Sequence, residues 1–316
     1  MNKQKKQSTL RLLLLALVIL TTSTLLYYFL NQTSDNKEGF DKVSLHSWWG
    51  NDQESIEMFE HIFKNIDKKV EIYSVMGGPP AEKKENTIYV QYSGESYHND
   101  PTIFDVNFIP SEITADNIIP FPFGLFNIIH ANETQNVGHL VNTRRLQENK
   151  QKFCIFAVSN GAGEQRNRFF HKLSEYKKVD SCGRHLTNME NCPGNWGSKE
   201  YLEFISHYKF MICFENGSVP DYLTEKVINA YVANTIPIYW GCPNVSDYVN
   251  MDAILYLKPD FTEDDVQKLI EEIQYLDNND DAYRAKYESA FFKNDQLPKE
   301  LDINYLQKIV TERLGP

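Results

Sequence analysis

The chain has 316 residues, 41% of them hydrophobic and 13% aromatic, with 15 Gly and 13 Pro. This composition excludes a collagen-like, low-complexity or generally disordered chain, and the length suits one large or two ordinary domains with a sizeable core. The formal net charge is −11, yet the first eleven positions hold Lys3, Lys5, Lys6 and Arg11 and no acid. The remainder is strongly acidic and would repel polyanions, so nucleic acid is not an expected partner.

Residues 12–30 (LLLLALVILTTSTLLYYFL) carry no charge and approach the ~20 apolar residues of a membrane-spanning helix. The basic residues before them predict a cytosolic tail at 1–11, a type II transmembrane anchor at 12–30 and a short stem at 31–40. A cleaved signal peptide with its core at Leu12–Leu20 is the rival reading. Against it, the apolar run continues through Leu25–Leu30, and no clear small-x-small cleavage site follows. The anchor would place the rest of the chain in a lumen or outside the cell. Asn-x-Ser/Thr triplets stand there at Asn31, Asn132, Asn216 and Asn244. Of the five cysteines, Cys182 and Cys192 flank a loop-like stretch and form the expected local pair. Cys154 and Cys213 lie in apolar runs as expected buried hydrophobes, and Cys242 completes an odd count. No C-x-x-C spacing points to zinc.

Residues 41–150 read as a first, loosely patterned domain. A helix is predicted over 53–66 and strands over 70–76 (VEIYSVM) and 87–92 (TIYVQY), the latter two bounded by Gly-Gly-Pro-Pro and Ser-Gly. Pro101, Pro110, Pro120 and Pro122 break any long helix between 99 and 124. Trp48-Trp49 suit either an acceptor groove or domain packing. The polar stretch 142–151 (NTRRLQENKQ) is the expected link to a second domain, 151–316.

That second half alternates cleanly. Strands are predicted at 153–159, 210–215, 236–240 and 253–257, with helices at 165–176, 199–208, 224–233 and 262–276. Such alternation implies right-handed crossovers and a parallel sheet that binds ligands at its carboxyl edge, which singles out loops 159–166 and 214–224. The first, SNGAGEQR, begins like a dinucleotide fingerprint, and Asp180 stands at about the spacing of a ribose-binding acid. Arg166 replaces the third glycine, however, so an NAD site is disfavoured. A tight turn leading into a helix with Arg166 in its first turn suits a phosphate instead.

The second loop and its surroundings, CFENGSVPDYLTEKVINAYVANTIPIYWG at 213–241, resemble the signature of the α1,3-fucosyltransferase family. FCIFAVSN at 153–160 with Arg166-Asn167, YKKVDS at 176–181 and YKF at 208–210 resemble that family's other donor-side segments. Tyr92-Ser93-Gly94-Glu95 resembles the Tyr-Thr-Gly-Glu of bacterial members. The resemblance implies an α/β GT-B fold, two Rossmann-like domains facing across a cleft, with GDP-fucose held mainly by the second. It implies an inverting transfer to a sugar hydroxyl, with O3 of a GlcNAc residue the expected acceptor position, and Glu95 as general base. It places Arg166, Tyr222, Glu225 and Lys226 on the donor, with Asn160 and Glu215 beside them. The family's eukaryotic layout implies a Golgi membrane protein with a lumenal catalytic body.

The residue types suit this chemistry. One carboxylate takes the acceptor proton in a single displacement, and a departing diphosphate needs fixed positive charge: Arg166 as a fork, Lys226 as a point charge, and a helix N-terminus. Tyr222 offers a ring and one hydroxyl. Glu215-Asn216 follows an apolar strand and is expected to organise the loop, which makes Asn216 a poor glycan acceptor. There is no Asp-x-Asp, so no metal site and no cofactor are expected. The alternatives are another GT-B glycosyltransferase with a different nucleotide sugar, or a non-catalytic glycan-binding membrane protein.

Overall fold

The structure, a computed structural model, describes residues 42–48, 52–122, 124, 144–146 and 150–315. Lys42–Pro316 form one compact unit. The predicted anchor, Trp49 and the sequons at Asn31 and Asn132 lie outside the described residues. Among the described residues no helix is long and apolar enough to cross a membrane.

Two parallel sheets carry the fold. The first contains β1 (Val43–His46), β2 (Lys69–Ser74), β3 (Thr87–Tyr92), β4 (Val106–Phe108) and β5 (Ile118–Ile119), in that order. β1 and β2 are joined through α1 (Asp52–Ile62), which ends four residues short of the predicted helix. Along β2 the buried Val70, Ile72 and Ser74 alternate with the partly exposed Glu71 and Tyr73, the period-2 pattern of a strand with one face in the core. Val70, Ile72, Val90 and Phe108 pack into one core with Phe59 of α1 and Phe63 just after it.

The second half contains β6 (Lys152–Phe156), α2 (Glu164–Tyr176), β7 (Val179–Ser181), α3 (Lys199–Ile205), β8 (Tyr208–Phe214), α4 (Glu225–Val232), β9 (Ile236–Trp240), β10 (Leu255–Tyr256), α5 (Glu263–Asn278) and α6 (Asp280–Tyr287). Its strands run parallel in the order β10-β9-β8-β6-β7. All seven residues of β8 are buried, as a central parallel strand covered on both faces requires. Phe210, Ile212 and Phe214 pack with Phe169, Leu173 and Leu269, whereas Met211 and Cys213 join the core that includes Val227 and Tyr231. Cys154 and Cys213 are buried free thiols, as expected, and so is Cys242.

Two features depart from the pattern read in the sequence. The last helix, α7 (Ile303–Leu314), returns to the first sheet and packs on α1. His61 Nε2 lies 3.1 Å from Asn304 Oδ1, and Arg313 donates to the Ile118 carbonyl at 2.8 Å. The polar link also hides a buried residue. Arg144 is 6% exposed, lies between the rings of Tyr231 and Tyr287, and donates to the carbonyls of Tyr231, Thr235 and Tyr287. Its flat, weakly hydrated guanidinium makes such burial feasible.

Candidate active site

β6 sits between β7 and β8, so the loops leaving β6 and β8 diverge from one point at the carboxyl edge of the sheet. That switch point is where open α/β sheets bind ligands. Arg166, in the first turn of α2, spans it. One amino group donates to the Asn160 carbonyl of the β6 loop, and the other donates to Asn216 Oδ1 of the β8 loop at 2.5 Å. The residue is 2% exposed, and Nε is buried with no partner among the described residues. Burial pushes the guanidinium pKa down, opposed by the neighbouring Tyr222 and Glu215. Gly163 makes room for this posture, because a methyl there would stand 2.5 Å from Nε. The expected fork is present, but in this structure protein acceptors hold both of its arms.

Glu215 follows β8 and is fully buried. Oε1 accepts the Thr224 N–H at 2.8 Å, while Oε2 accepts the Thr224 hydroxyl at 2.8 Å and Lys226 Nζ at 3.0 Å. Both oxygens are therefore spent on the start of α4, which Thr224 caps. This is the loop-organising place expected of Glu215. Gly241, at φ +147°, closes over it, and a methyl there would lie 2.5 Å from Glu215 Cγ. Lys226 Nζ also donates to Thr224 Oγ1 at 2.9 Å and lies 3.8 Å from Glu225 Oε1. Burial works against the ammonium, but Glu215 and Glu225 outweigh it and raise its pKa. Burial raises the Glu215 carboxyl too, against the pull of Lys226 and the Thr224 N–H; with Thr224 and Lys226 both donating to it, the pair is a carboxylate and an ammonium.

Tyr222 is 3% exposed, and its phenol is pushed far up by burial, then by the charges of Glu215, Glu95 and Glu225. The preceding Asp221 takes a left-handed φ of 66° that aspartate tolerates at a cost. Asn244 Nδ2 and the Tyr248 hydroxyl hold its Oδ1 at 2.8 and 2.5 Å. This buttress was not apparent in the sequence, since Asn244 reads there as a glycan acceptor. Its carboxamide is occupied: Oδ1 accepts the Asp221 N–H, and Nδ2 serves Asp221 and Asp247.

Glu95 approaches from the first sheet, on the loop after β3. Its N–H donates to the hydroxyl of the buried Ser93 at 3.1 Å. Burial drives the Tyr92 phenol far up, and the charges of Glu95 and Glu225 add to the effect. Tyr92 and Tyr222 thus both feel Glu95 from the first half and Glu225 from the second. The two loops also approach directly, for a methyl on Gly217 would sit 3.1 Å from Ser96 Oγ. Asn160 lies at the rim, its Oδ1 accepting the Ala162 N–H.

Beside the switch point, Ser159, Gly183, Arg184, Trp196 and Tyr201 line a cavity of about 160 Å3. The predicted Cys182–Cys192 disulfide is formed at its edge. The buried Tyr201 hydroxyl has no hydrogen-bond partner among the described residues. Those residues also hold no cluster of three potential metal ligands.

Residues 147–294 match the family model described as glycosyltransferase family 10 (fucosyltransferase), C-terminal domain. An α-(1,3)-fucosyltransferase of Helicobacter pylori is 37% identical over 134 residues, covering 42% of this chain and 26% of that protein. An α-(1,3)-fucosyltransferase B of Drosophila melanogaster is 32% identical over 127 residues (38% and 28%). A GDP-fucose protein O-fucosyltransferase 3 of Xenopus laevis is 32% identical over 125 residues (37% and 26%). The chain thus spans about a quarter of the length of these curated relatives. In fold, a crystal structure of an α1,3-fucosyltransferase with GDP superposes at a TM-score of 0.65, with 21% identity, covering 87% of this chain and 90% of that one. The same comparison for a complex with GDP-fucose gives 0.62. The chain therefore has a GT-B-like fold, and its residues 147–294 are similar to the C-terminal domain of glycosyltransferase family 10 (fucosyltransferase).

Proposed function

We propose that the protein is an inverting fucosyltransferase that moves L-fucose from GDP-β-L-fucose to a glycan hydroxyl, O3 of a GlcNAc residue. The observation that carries this reading is that the loop holding Glu95, after β3, meets the loop after β8, with Ser96 against Gly217, so that Glu95 lies close enough for its charge to act on Tyr222. The acceptor oxygen bonds to fucose C1 as the bond from C1 to the GDP oxygen breaks on the opposite face, and Glu95 takes the acceptor proton. Lys226 and the amino end of α4 meet the charge on departing GDP. Arg166 contributes by exchanging the neutral Asn216 for a phosphate oxygen. The nucleoside enters the cavity beside Ser159. Glu225 and Tyr222 face the sugar.

These fixed charges do the work of a bridging ion, so we assign no essential metal. Residues 12–30 serve as a type II anchor that places this body in the Golgi lumen.

The test is transfer from labelled GDP-fucose to an acceptor array by wild type and Glu95→Gln. The variant should lose roughly 10²–10⁴-fold in kcat while keeping its GDP affinity. Wild-type turnover by Glu95→Gln would remove Glu95 from the mechanism. Transfer confined to another nucleotide sugar would replace the donor assignment.

A further inference from the structure

Met76 and Tyr97 are large apolar side chains left 57% and 51% exposed, and they touch each other, the Tyr97 hydroxyl donating to Met76 Sδ at 3.3 Å. They follow β2 and β3, neighbouring strands of the first sheet, at the carboxyl edge where parallel sheets receive ligands. Tyr97 stands two residues beyond Glu95, and the loop between them is pinned. The hydroxyl of the fully buried Ser93 donates to the Tyr97 carbonyl at 2.6 Å while accepting the Glu95 N–H. The backbone of the two residues is thus held at a set offset, and Ser96 between them abuts Gly217 of the donor side.

We propose that Tyr97, held at its hydroxyl by Met76, is the platform on which a hexose ring of the acceptor glycan stacks, presenting its hydroxyl to Glu95. The proposal rests on the reading of Glu95 as the base and names the acceptor chemistry of that site. A hexose has one face of C–H groups and a rim of hydroxyls. A half-exposed aromatic ring whose phenolic rim is extended by a polarisable thioether complements that ring. Adjacent exposed apolar side chains beside a catalytic carboxylate mark a binding surface better than isolated ones elsewhere would.

Two variants, Tyr97→Ala and Tyr97→Phe, separate this role from a structural one. In steady-state transfer to N-acetyllactosamine, Tyr97→Ala should raise the acceptor KM about tenfold, with kcat and the GDP affinity within about threefold of wild type. Tyr97→Phe keeps the ring and should stay within about threefold throughout. Binding of immobilised glycans in the presence of GDP provides a second readout that does not need turnover. Glycan binding lost in Tyr97→Ala, in a wild type that transfers nothing, would keep the platform and discard the transferase reading. Transfer lost in Glu95→Gln but unchanged in Tyr97→Ala would discard the platform alone. The platform is also overturned if Tyr97→Ala weakens GDP as much as glycan, if wild type neither binds nor fucosylates any glycan, or if it fucosylates peptides only.

Discussion

Replacing Glu215 with Gln changes one atom in the most enclosed ion pair of the site. The amide oxygen would keep the Thr224 N–H, which has no other acceptor at hand. The new NH2 would then face Lys226 Nζ across the present 3.0 Å, donor against donor. The ammonium, whose side chain is 16% exposed, would be left with Thr224 Oγ1 and the more distant Glu225 at 3.8 Å. Breaking a buried pair by removing one partner costs about 3–5 kcal/mol, and the residual partners put this case near 3. In a body of this size that corresponds to a fall of roughly 5 °C in Tm.

Thermal unfolding with and without GDP is the assay. Without nucleotide, Glu215→Gln should melt earlier by this amount, and Glu215→Gln/Lys226→Met should recover much of the loss. A double-mutant cycle then gives the coupling, about 1–3 kcal/mol for groups in contact. If Lys226 faces the diphosphate, saturating GDP should stabilise Glu215→Gln by more than it stabilises wild type. A Glu215→Gln protein within about 1 kcal/mol of wild type would refute the reasoning, because an uncompensated ammonium at this depth cannot be neutral to stability.

Three further outcomes follow from the same geometry. Arg166→Ala should weaken GDP about 10–100-fold by calorimetric titration, and Arg166→Lys should not restore it, because a single ammonium cannot reach both loop acceptors; unchanged GDP binding would return Arg166 to a purely structural strap. Transfer should survive excess EDTA, with added Mn²⁺ or Mg²⁺ giving a modest stimulation; complete loss restored by one equivalent of ion would reveal an acidic ligand set. Asp277, 3% exposed, accepts from Tyr176 and Lys177 and pairs with Lys209 at 3.3 Å. Burial raises its carboxyl, but Lys177 and Lys209 outweigh that and hold it below the ordinary 3.8. A depressed carboxyl stabilises above its unfolded pKa and loses that contribution as pH falls through the folded one. Asp277→Asn should therefore cost about 2 kcal/mol at pH 7, discounted because Lys177 is half exposed. The deficit should shrink only as pH falls below the ordinary 3.8 and through the lower folded pKa; a deficit that stays constant to the acid limit of folding would mean that packing, not charge, is responsible.

The second half was legible because its strands are long apolar runs and its turns carry glycine. β9 lies at the predicted 236–240, and α2 begins one residue before the predicted start. Glu215 was readable as a loop organiser from its place after an apolar strand. β1 and β7, at four and three residues, are too short for a period to register. Arg144 sits in a window whose composition signals a solvated link, while its burial depends on two tyrosines 87 and 143 positions away in sequence. No local pattern carries that information. The same holds for the Asp221 buttress, where an Asn-x-Ser triplet concealed a structural carboxamide, and for α7, whose amphipathic face does not say which sheet it will cover.

The return of α7 to the first sheet has a consequence for biosynthesis. Arg313 reaches a carbonyl 195 positions upstream. At about 5–20 residues per second, the ribosome completes β5 roughly 10–40 s before it delivers the helix that covers α1. During that interval the face of α1 that meets Leu306 and Val310 has no lid, and the nascent first sheet depends on holding factors or on its own loops to stay soluble. A stop codon or frameshift a few residues before 303 would leave residues 147–294 entire and still expose the core of the opposite half. Truncating lesions between residues 294 and 303 should thus act as folding defects of the first sheet.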